Sequence, residues 1–462
     1  MKGQLLETTQ SLCPECLKVL PAELWARGSE VFLERVCQEH GPFSVVVWRG
    51  EPSFASWKRP KKPIKVKAQT PIKDGCPRDC GLCPDHGQNP CTVLLEITEN
   101  CDLNCPVCFA SSGSGGPRTD LAALKGYLAW LRPLVGPVVL QISGGEPTTH
   151  PDLPEVVAAA AKLFPATQLN TNGLNLAKNP SLAKTLAQNG LSWVFLQFDG
   201  LDDEVYRTLR GQPLLDIKKA AIKACQEANL AVVLTPTVAK GVNDQSLGQL
   251  VDFARNIPIV RGVHIQPMTQ AGRHHLRGSS YRLTIPEILR LLSQGTNGLI
   301  QPEQAFPPGC EHERCSFHLR FRRLADGRLI PQVPKADDCG CGPLGCPPKT
   351  TAEPSSPEET DDNRLKAVDI IIQSWKADDP QPSPPLKIPM AKPKSLTLDD
   401  FLAQARRETF SVTGMAFQDA GNMDLARLKG CCVHIFRPPG LLIPFCAMNL
   451  TDSQGRSLYR RK

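Results

Sequence analysis

ITENCDLNCPVCFA, residues 97–110, grows out of the apolar run TVLLEIT at 92–98 and places Cys101, Cys105 and Cys108 on one tight loop just past a strand. Three thiolates spaced in this way can hold three irons of a cubane cluster and leave the fourth iron without a protein ligand. A structural zinc would want a fourth ligand close by, and none follows Cys108. Outward from this loop, apolar runs recur at 137–142 (PVVLQI), 167–170 (TQLN), 193–198 (WVFLQF), 231–235 (AVVLT) and 262–266 (GVHIQ). Such runs read as buried parallel strands. Helical periodicity fills the gaps at about 119–133, 153–164, 180–189, 214–229 and 245–256. The alternation predicts an α/β fold, a partial (β/α)6 barrel over 92–300.

The second strand ends in Ser143-Gly144-Gly145-Glu146-Pro147. Paired glycines let a ligand approach the backbone, and a glutamate beside them can accept from an ammonium group. One βα unit after the cysteine loop, at the carboxyl edge of a parallel sheet, is where such a group would act.

The flanks are rich in metal-type spacings. Within 8–50, Cys13-x2-Cys16 and Cys37-x2-His40 form the paired knuckles of a tetrahedral site for zinc or a rubredoxin-like iron, with VFLERVC and FSVVVW as a hairpin. Residues 51–74 form a basic linker bearing Lys58, Arg59, Lys61, Lys62, Lys65 and Lys67, a solvated connector or a contact for phosphate groups. Residues 75–91 repeat the triad spacing at Cys76, Cys80 and Cys83, with Cys91 as a candidate fourth ligand, and are read as an auxiliary 4Fe-4S segment. The tail divides into a cysteine-rich 301–346 (Cys310, Cys315, Cys339, Cys341, Cys346), a Pro-rich linker at 347–395, and 396–462 with Cys431, Cys432 and Cys446. GRLIP at 327–331 and GLLIP at 440–444 mark two cysteine-flanked hairpins, and Cys225 sits in an amphipathic helix as a core residue.

The chain has 462 residues, 19 cysteines and a formal net charge of +7. Cysteines grouped in short pairs within a large chain suit metal ligation in a reducing cytoplasm rather than a disulfide framework. No apolar run is long enough to span a bilayer, and the modest charge gives only a weak pull toward acidic partners.

CDLNCPVC followed by GGEP resembles the radical S-adenosylmethionine (SAM) superfamily over roughly 91–295. The resemblance implies a 4Fe-4S cluster on Cys101, Cys105 and Cys108, chelated at its open iron by SAM, with Gly144, Gly145 and Glu146 holding the methionine ammonium. It also implies that Asn172, Gln197, Asp199, Asn243 and Gln266, at or beyond later strand ends, line the cofactor and substrate cavity. Reduction of the cluster by a low-potential donor such as a flavodoxin or ferredoxin would then cleave SAM to a 5'-deoxyadenosyl radical that abstracts hydrogen from an unactivated carbon. Phe109 packs against the cluster in this reading. SLCPECLKVLPAE, CQEHGPF, GCPRDCGLCPDH and CCVHIFRPPGLLIPFCAMNLT look like the archaeal tetraether-lipid synthase group and its bacterial relatives, members of which are also labelled pterin methyltransferases. The tail hairpins resemble SPASM-type auxiliary-cluster regions.

These resemblances imply carbon–carbon bond formation or alkylation on a lipid chain, with peripheral contact at the inner membrane face. Radical methylation of a pterin-like heterocycle is the alternative, a peptide maturase a further one. A knuckle protein that binds nucleic acid is the non-enzyme alternative; the open triad and the lack of a base-stacking platform argue against it.

Overall fold

The computed structural model describes residues 3–59, 64, 66–274, 281–332, 357–376 and 408–460. The N-terminal unit is a four-stranded antiparallel meander, β1 (Gln4–Leu12), β2 (Val19–Arg27), β3 (Glu30–Cys37) and β4 (Gly41–Arg49). Alternation in EVFLERVC buries Val31, Leu33 and Cys37 on one face, as a half-buried strand requires. The hairpin of β3 and β4 matches the sequence expectation, whereas β1 and β2 add a second hairpin beside it. Trp48 closes this unit's core against Phe54 and Trp57, at ring distances of 5.9 and 6.1 Å.

The central sheet contains the six expected parallel strands, β5 (Thr92–Glu96), β6 (Val139–Ser143), β7 (Ala166–Thr171), β8 (Trp193–Gln197), β9 (Val232–Thr235) and, after the two-residue β10 (Thr237–Val238), β11 (Val260–Pro267). Helices α1 (Leu121–Val135), α2 (Leu153–Ala161), α3 (Leu174–Lys178), α4 (Pro180–Gln188), α5 (Asp203–Arg210), α6 (Leu215–Glu227), α7 (Leu247–Arg255) and α8 (Ile285–Gly295) cover its outer face. Side chains alternate across each strand. On β5, Val93 and Leu95 join the helical core, while Thr92, Leu94 and Glu96 face the cavity inside the curled sheet. The Asp120 side chain caps α1 by accepting from the Ala123 N–H at 2.9 Å, and Cys225 is fully buried in α6 as expected.

The tail completes the sheet in a way the sequence did not foretell. β14 (Thr409–Met415) adds parallel to β11 and then pairs antiparallel with β12 (Ser316–Arg323), which carries β13 (Leu329–Pro331). At the other edge β15 (Val433–Arg437) adds parallel to β5 and turns back as β16 (Leu441–Pro444). Both expected hairpins therefore exist, and they flank the open side of the barrel. Within the stretch read as a Pro-rich linker lies a helix, α9 (Pro357–Trp375). It is fixed by tertiary contact: the Arg364 guanidinium donates to the carbonyls of Pro90, Val135 and Pro137, and Trp375 packs edge-on to Trp193 and Phe195. Cys339, Cys341 and Cys346, Lys61, Lys62 and Lys65, and the rest of that linker lie outside the described residues.

Candidate active site

The cysteine loop leaves β5 at the carboxyl edge of the sheet, and Cys101, Cys105 and Cys108 all line a cavity of about 1360 Å³ inside the barrel. Three thiols on the lining of one cavity can hold three irons of a cubane cluster and leave the fourth iron open to that cavity. Burial pushes the Cys101 thiol up to about 12 and raises Cys105, the latter opposed by the Arg210 charge. Thiols so buried become thiolates by binding metal rather than by titrating. Backbone contacts fix the loop: Cys108 and Arg273 exchange N–H···O bonds of 2.8 and 2.9 Å, and the Arg273 side chain donates to the Cys105 carbonyl at 2.7 Å. Phe109 packs edge-on to Phe417 and Phe445 of the tail.

The paired glycines serve this loop directly. Gly145 N donates to the Thr98 carbonyl at 2.7 Å and Glu146 N to Asn100 at 2.8 Å. A Cβ at Gly144 would stand 2.2 Å from the Thr98 oxygen, and one at Gly145 2.4 Å from that of Asn100. What approaches these glycines is thus the cysteine loop itself, which locks the end of β6 against it while Gly144 and Gly145 also line the cavity.

Glu146 lines the cavity beside the glycine pair. Its carboxylate is buried and already accepts from the Thr148 N–H (3.0 Å), the Thr148 and Thr171 hydroxyls (2.6 and 2.7 Å) and the Asn172 N–H (2.7 Å). Three of these donors fall on Oε1 and only the Asn172 N–H on Oε2, so the side chain ties the ends of β6 and β7 together and keeps an acceptor site on Oε2. Burial pushes this carboxyl up, against the pull of its hydrogen bonds to Asn172, Thr148 and Thr171. Pro147 is buried at the start of a short 3-10 turn, whereas Ser143 and Asn172 line the cavity.

Of the later strand-end residues, Gln197 and Gln266 face the cavity, but Asp199 and Asn243 are not on its wall. Asp199 grips Arg210 through two bonds of 2.7 Å and accepts from Thr237 N at 3.0 Å, while Asn243 donates to the Asp199 and Thr237 carbonyls at 2.8 and 2.9 Å. A buried carboxylate must be paired, and this one is paired with a guanidinium that also donates to the Val107 carbonyl of the cysteine loop. Lys218, fully buried on α6, donates to the Asn172 carbonyl and to Gln197 Oε1 (2.7 Å). Burial pulls its ammonium down to about 8.

Below the loop, alternate strand positions line the lumen with Gln141, Gln168, Asn170, Phe195, Thr235, His264 and Thr413. His264 Nδ1 is hydrogen-bonded to the Thr413 hydroxyl at 2.8 Å, and burial holds its pKa down to about 4, so the ring is neutral. The sequence reading passed over this row and over Arg210 and Lys218. Its signal was the polar residue recurring at alternate positions of otherwise apolar strands, as in TQLN and GVHIQ.

Most of the other described cysteines gather into further groups. Cys13, Cys16, Cys37 and His40 come together as expected. Cys91, the candidate fourth ligand for the 76–83 set, lies instead with Cys310 and Cys432, its sulfur 3.0 Å from that of Cys432. Cys91 immediately precedes β5, and β15 pairs with β5, so the fold brings Cys432 to it. Cys315 and Cys446 are near enough to Cys431 to raise its thiol further after burial has done so, with Arg427 donating to the Cys315 sulfur at 3.4 Å. Cys76 and Cys80 interact directly, and the Tyr459 hydroxyl accepts from Cys80 N at 3.0 Å. No helix among the described residues is long and apolar enough to cross a membrane.

Three comparisons bear on this site. Residues 95–254 match the Radical SAM superfamily, and residues 5–49 match the HMPTM N-terminal zinc ribbon domain. The chain is 32% identical over 480 aligned residues to the 7,8-dihydro-6-hydroxymethylpterin dimethyltransferase of Methanocaldococcus jannaschii, covering 96% of this chain and 94% of that protein. It is 26% identical to the GTP 3',8-cyclase of Paenarthrobacter nicotinovorans, covering 54% of this chain and 69% of that one. Among solved structures, Streptococcus suis SuiB bound to S-adenosylmethionine aligns at 20% identity with a TM-score of 0.38, over 46% of this chain and 48% of SuiB.

Proposed function

The chain belongs to the radical SAM superfamily, in the family of the pterin dimethyltransferase that it matches along nearly its whole length, and from that premise we propose that it methylates a pterin-like heterocycle. It is an enzyme of the radical SAM class and uses a 4Fe-4S cluster and SAM; its further cysteine groups and its ribbon fit auxiliary clusters and a zinc site. When bound, the cluster and SAM together supply one-electron chemistry that activates an inert C–H bond.

In this reading Cys101, Cys105 and Cys108 hold the cluster, and the cavity-facing main chain of Ser143, Gly144 and Gly145 holds the methionyl part of SAM. Glu146 is on the cavity wall, where Oε2 can accept from the methionine ammonium, while Asp199 and Asn243 act one layer back. Glu146 keeps the glycine turn in place, and the Asp199–Arg210 pair braces the cysteine loop through Val107. Lys218 holds the Gln197 side chain at the cavity wall.

The observation that carries the substrate class is the lumen row. Gln141, Asn170, Gln197 and His264 offer hydrogen-bonding groups in the middle of the barrel, with the Phe195 ring beside them. A planar heterocycle can satisfy such groups while stacking on an aromatic face; an alkyl chain passing through would desolvate each of them without return. The lipid reading drawn from sequence therefore gives way to the pterin one. Anaerobically reconstituted, reduced protein supplied with SAM and 7,8-dihydro-6-hydroxymethylpterin should yield a pterin heavier by one or two methyl groups. A pterin of unchanged mass, under conditions where SAM is cleaved, would overturn the substrate assignment.

A further inference from the structure

A chain of side-chain amides runs up the inside of the barrel, and its direction is fixed. The Trp193 indole N–H donates to Gln168 Oε1 at 2.9 Å, Gln168 Nε2 donates to Asn170 Oδ1 at 2.5 Å, and Asn170 Nδ2 donates to Gln141 Oε1 at 3.1 Å. An indole nitrogen can only donate, so the oxygen of Gln168 must face it. Each amide oxygen then faces the previous donor, and the sense of all three is set. The row ends on the amide nitrogen of Gln141, which among the described residues makes no further hydrogen bond, on a side chain that lines the cavity.

Trp193 and Gln168, at the far end, are completely buried, while Gln141 is part-exposed toward the lumen. The row thus presents its unpartnered amide nitrogen, a donor, to the lumen, and an acceptor on a bound ligand would complete it. On this wall Asn170 stands opposite Phe195 of the neighbouring strand, so an acceptor held at Gln141 lies beside an aromatic face.

We propose that Gln141 is a specificity-determining residue whose side-chain N–H donates to a ring carbonyl of a planar heterocyclic substrate. This rests on the reading of the substrate as a pterin and names the group that recognises its carbonyl edge. The chain to Trp193 makes the preference directional: Gln141 is held as a donor and cannot turn its oxygen to the ligand without facing its N–H₂ to that of Asn170.

A matched pair of probes tests this, 6-hydroxymethylpterin and 2,4-diamino-6-hydroxymethylpteridine, in which an amino donor replaces the ring carbonyl. Equilibrium dialysis at pH 8 is run against full-length, cluster-reconstituted protein, with iron content and melting temperature as checks of folding. Wild type should prefer the carbonyl probe by about tenfold or more, the effect of one mismatched buried hydrogen bond. Gln141→Glu still accepts from Asn170 and should shift the preference toward the diamino probe. Gln141→Met should bind both weakly with no preference, and it decides the matter if the glutamate variant does not fold. Retention of the wild-type preference in either folded variant, or equal binding of both probes by wild type, overturns the role of Gln141 and leaves the pterin reading standing. Failure of wild type to bind either probe overturns both.

Discussion

Arg210 holds Asp199 in a two-pronged ion pair with both bonds at 2.7 Å and both side chains buried beneath the cysteine loop. The same guanidinium reaches the Val107 carbonyl, so the pair couples α5 to the loop that carries the three cysteines. Removing one partner leaves the other charge buried and alone. We expect Asp199→Asn to cost about 3–5 kcal/mol in denaturant unfolding, and an Asp199→Asn, Arg210→Met double variant to recover part of that loss. A cost below about 1 kcal/mol for the single variant would show that the pair does not brace the loop.

Gly145 separates loop geometry from chemistry. A Cβ there would meet the Asn100 carbonyl oxygen at 2.4 Å, a contact with rigid backbone that no rotamer relieves. Gly145→Ala should therefore push the cysteine loop off the end of β6, and the reconstituted variant should lose iron as well as SAM affinity. Full iron content with normal SAM binding would contradict this account of the glycine pair.

Lys218 makes stability depend on alkaline pH. Its ammonium is pulled down to about 8 from an ordinary 10.5 because burial disfavours the charge. Between those values the unfolded chain binds the proton that the folded chain has released, so this group's contribution to stability rises with pH. Relative to Lys218→Met, the wild type should gain up to about 3 kcal/mol as pH rises from about 8 to 10.5, a difference that paired urea titrations resolve. A flat difference across that window would mean that Lys218 titrates normally.

Cys91 tests the partition of the cysteines. Because its sulfur lies with those of Cys310 and Cys432, Cys91→Ser and Cys310→Ser should perturb the same metal signal in electron paramagnetic resonance, and Cys83→Ser a different one. Identical spectra for Cys91→Ser and Cys83→Ser, with Cys310→Ser unlike both, would return Cys91 to the upstream set.

How much of this was legible in the sequence depended on what kind of interaction fixes each part. TVLLEIT and WVFLQF announced strands because parallel strands covered by helices are apolar on nearly every position. The triad and the two knuckles were legible because their ligands fall within a few residues of one another. The grouping of Cys91 with Cys432 was not, since 341 residues separate them and only the pairing of β15 with β5 brings them together. Lys218 stands next to the exposed Lys219 in an ordinary amphipathic helix, and burial alone distinguishes it. Helix α9 escaped notice because its surroundings are proline-rich and acidic, while the contacts that hold it, Arg364 to three carbonyls and Trp375 to Trp193, are tertiary. Glu146 was singled out for a ligand alone, whereas its carboxylate also ties β6 to β7 through Thr148, Thr171 and Asn172, contacts that no spacing announces.

The most direct test of the central claim is 5'-deoxyadenosine release from SAM by reduced, reconstituted protein, measured alone, with 7,8-dihydro-6-hydroxymethylpterin and with phospholipid vesicles, using Cys105→Ala as the control. The account predicts release that the pterin stimulates, that vesicles leave at the basal rate, and that the variant lacks. Stimulation by vesicles and not by the pterin would contradict it.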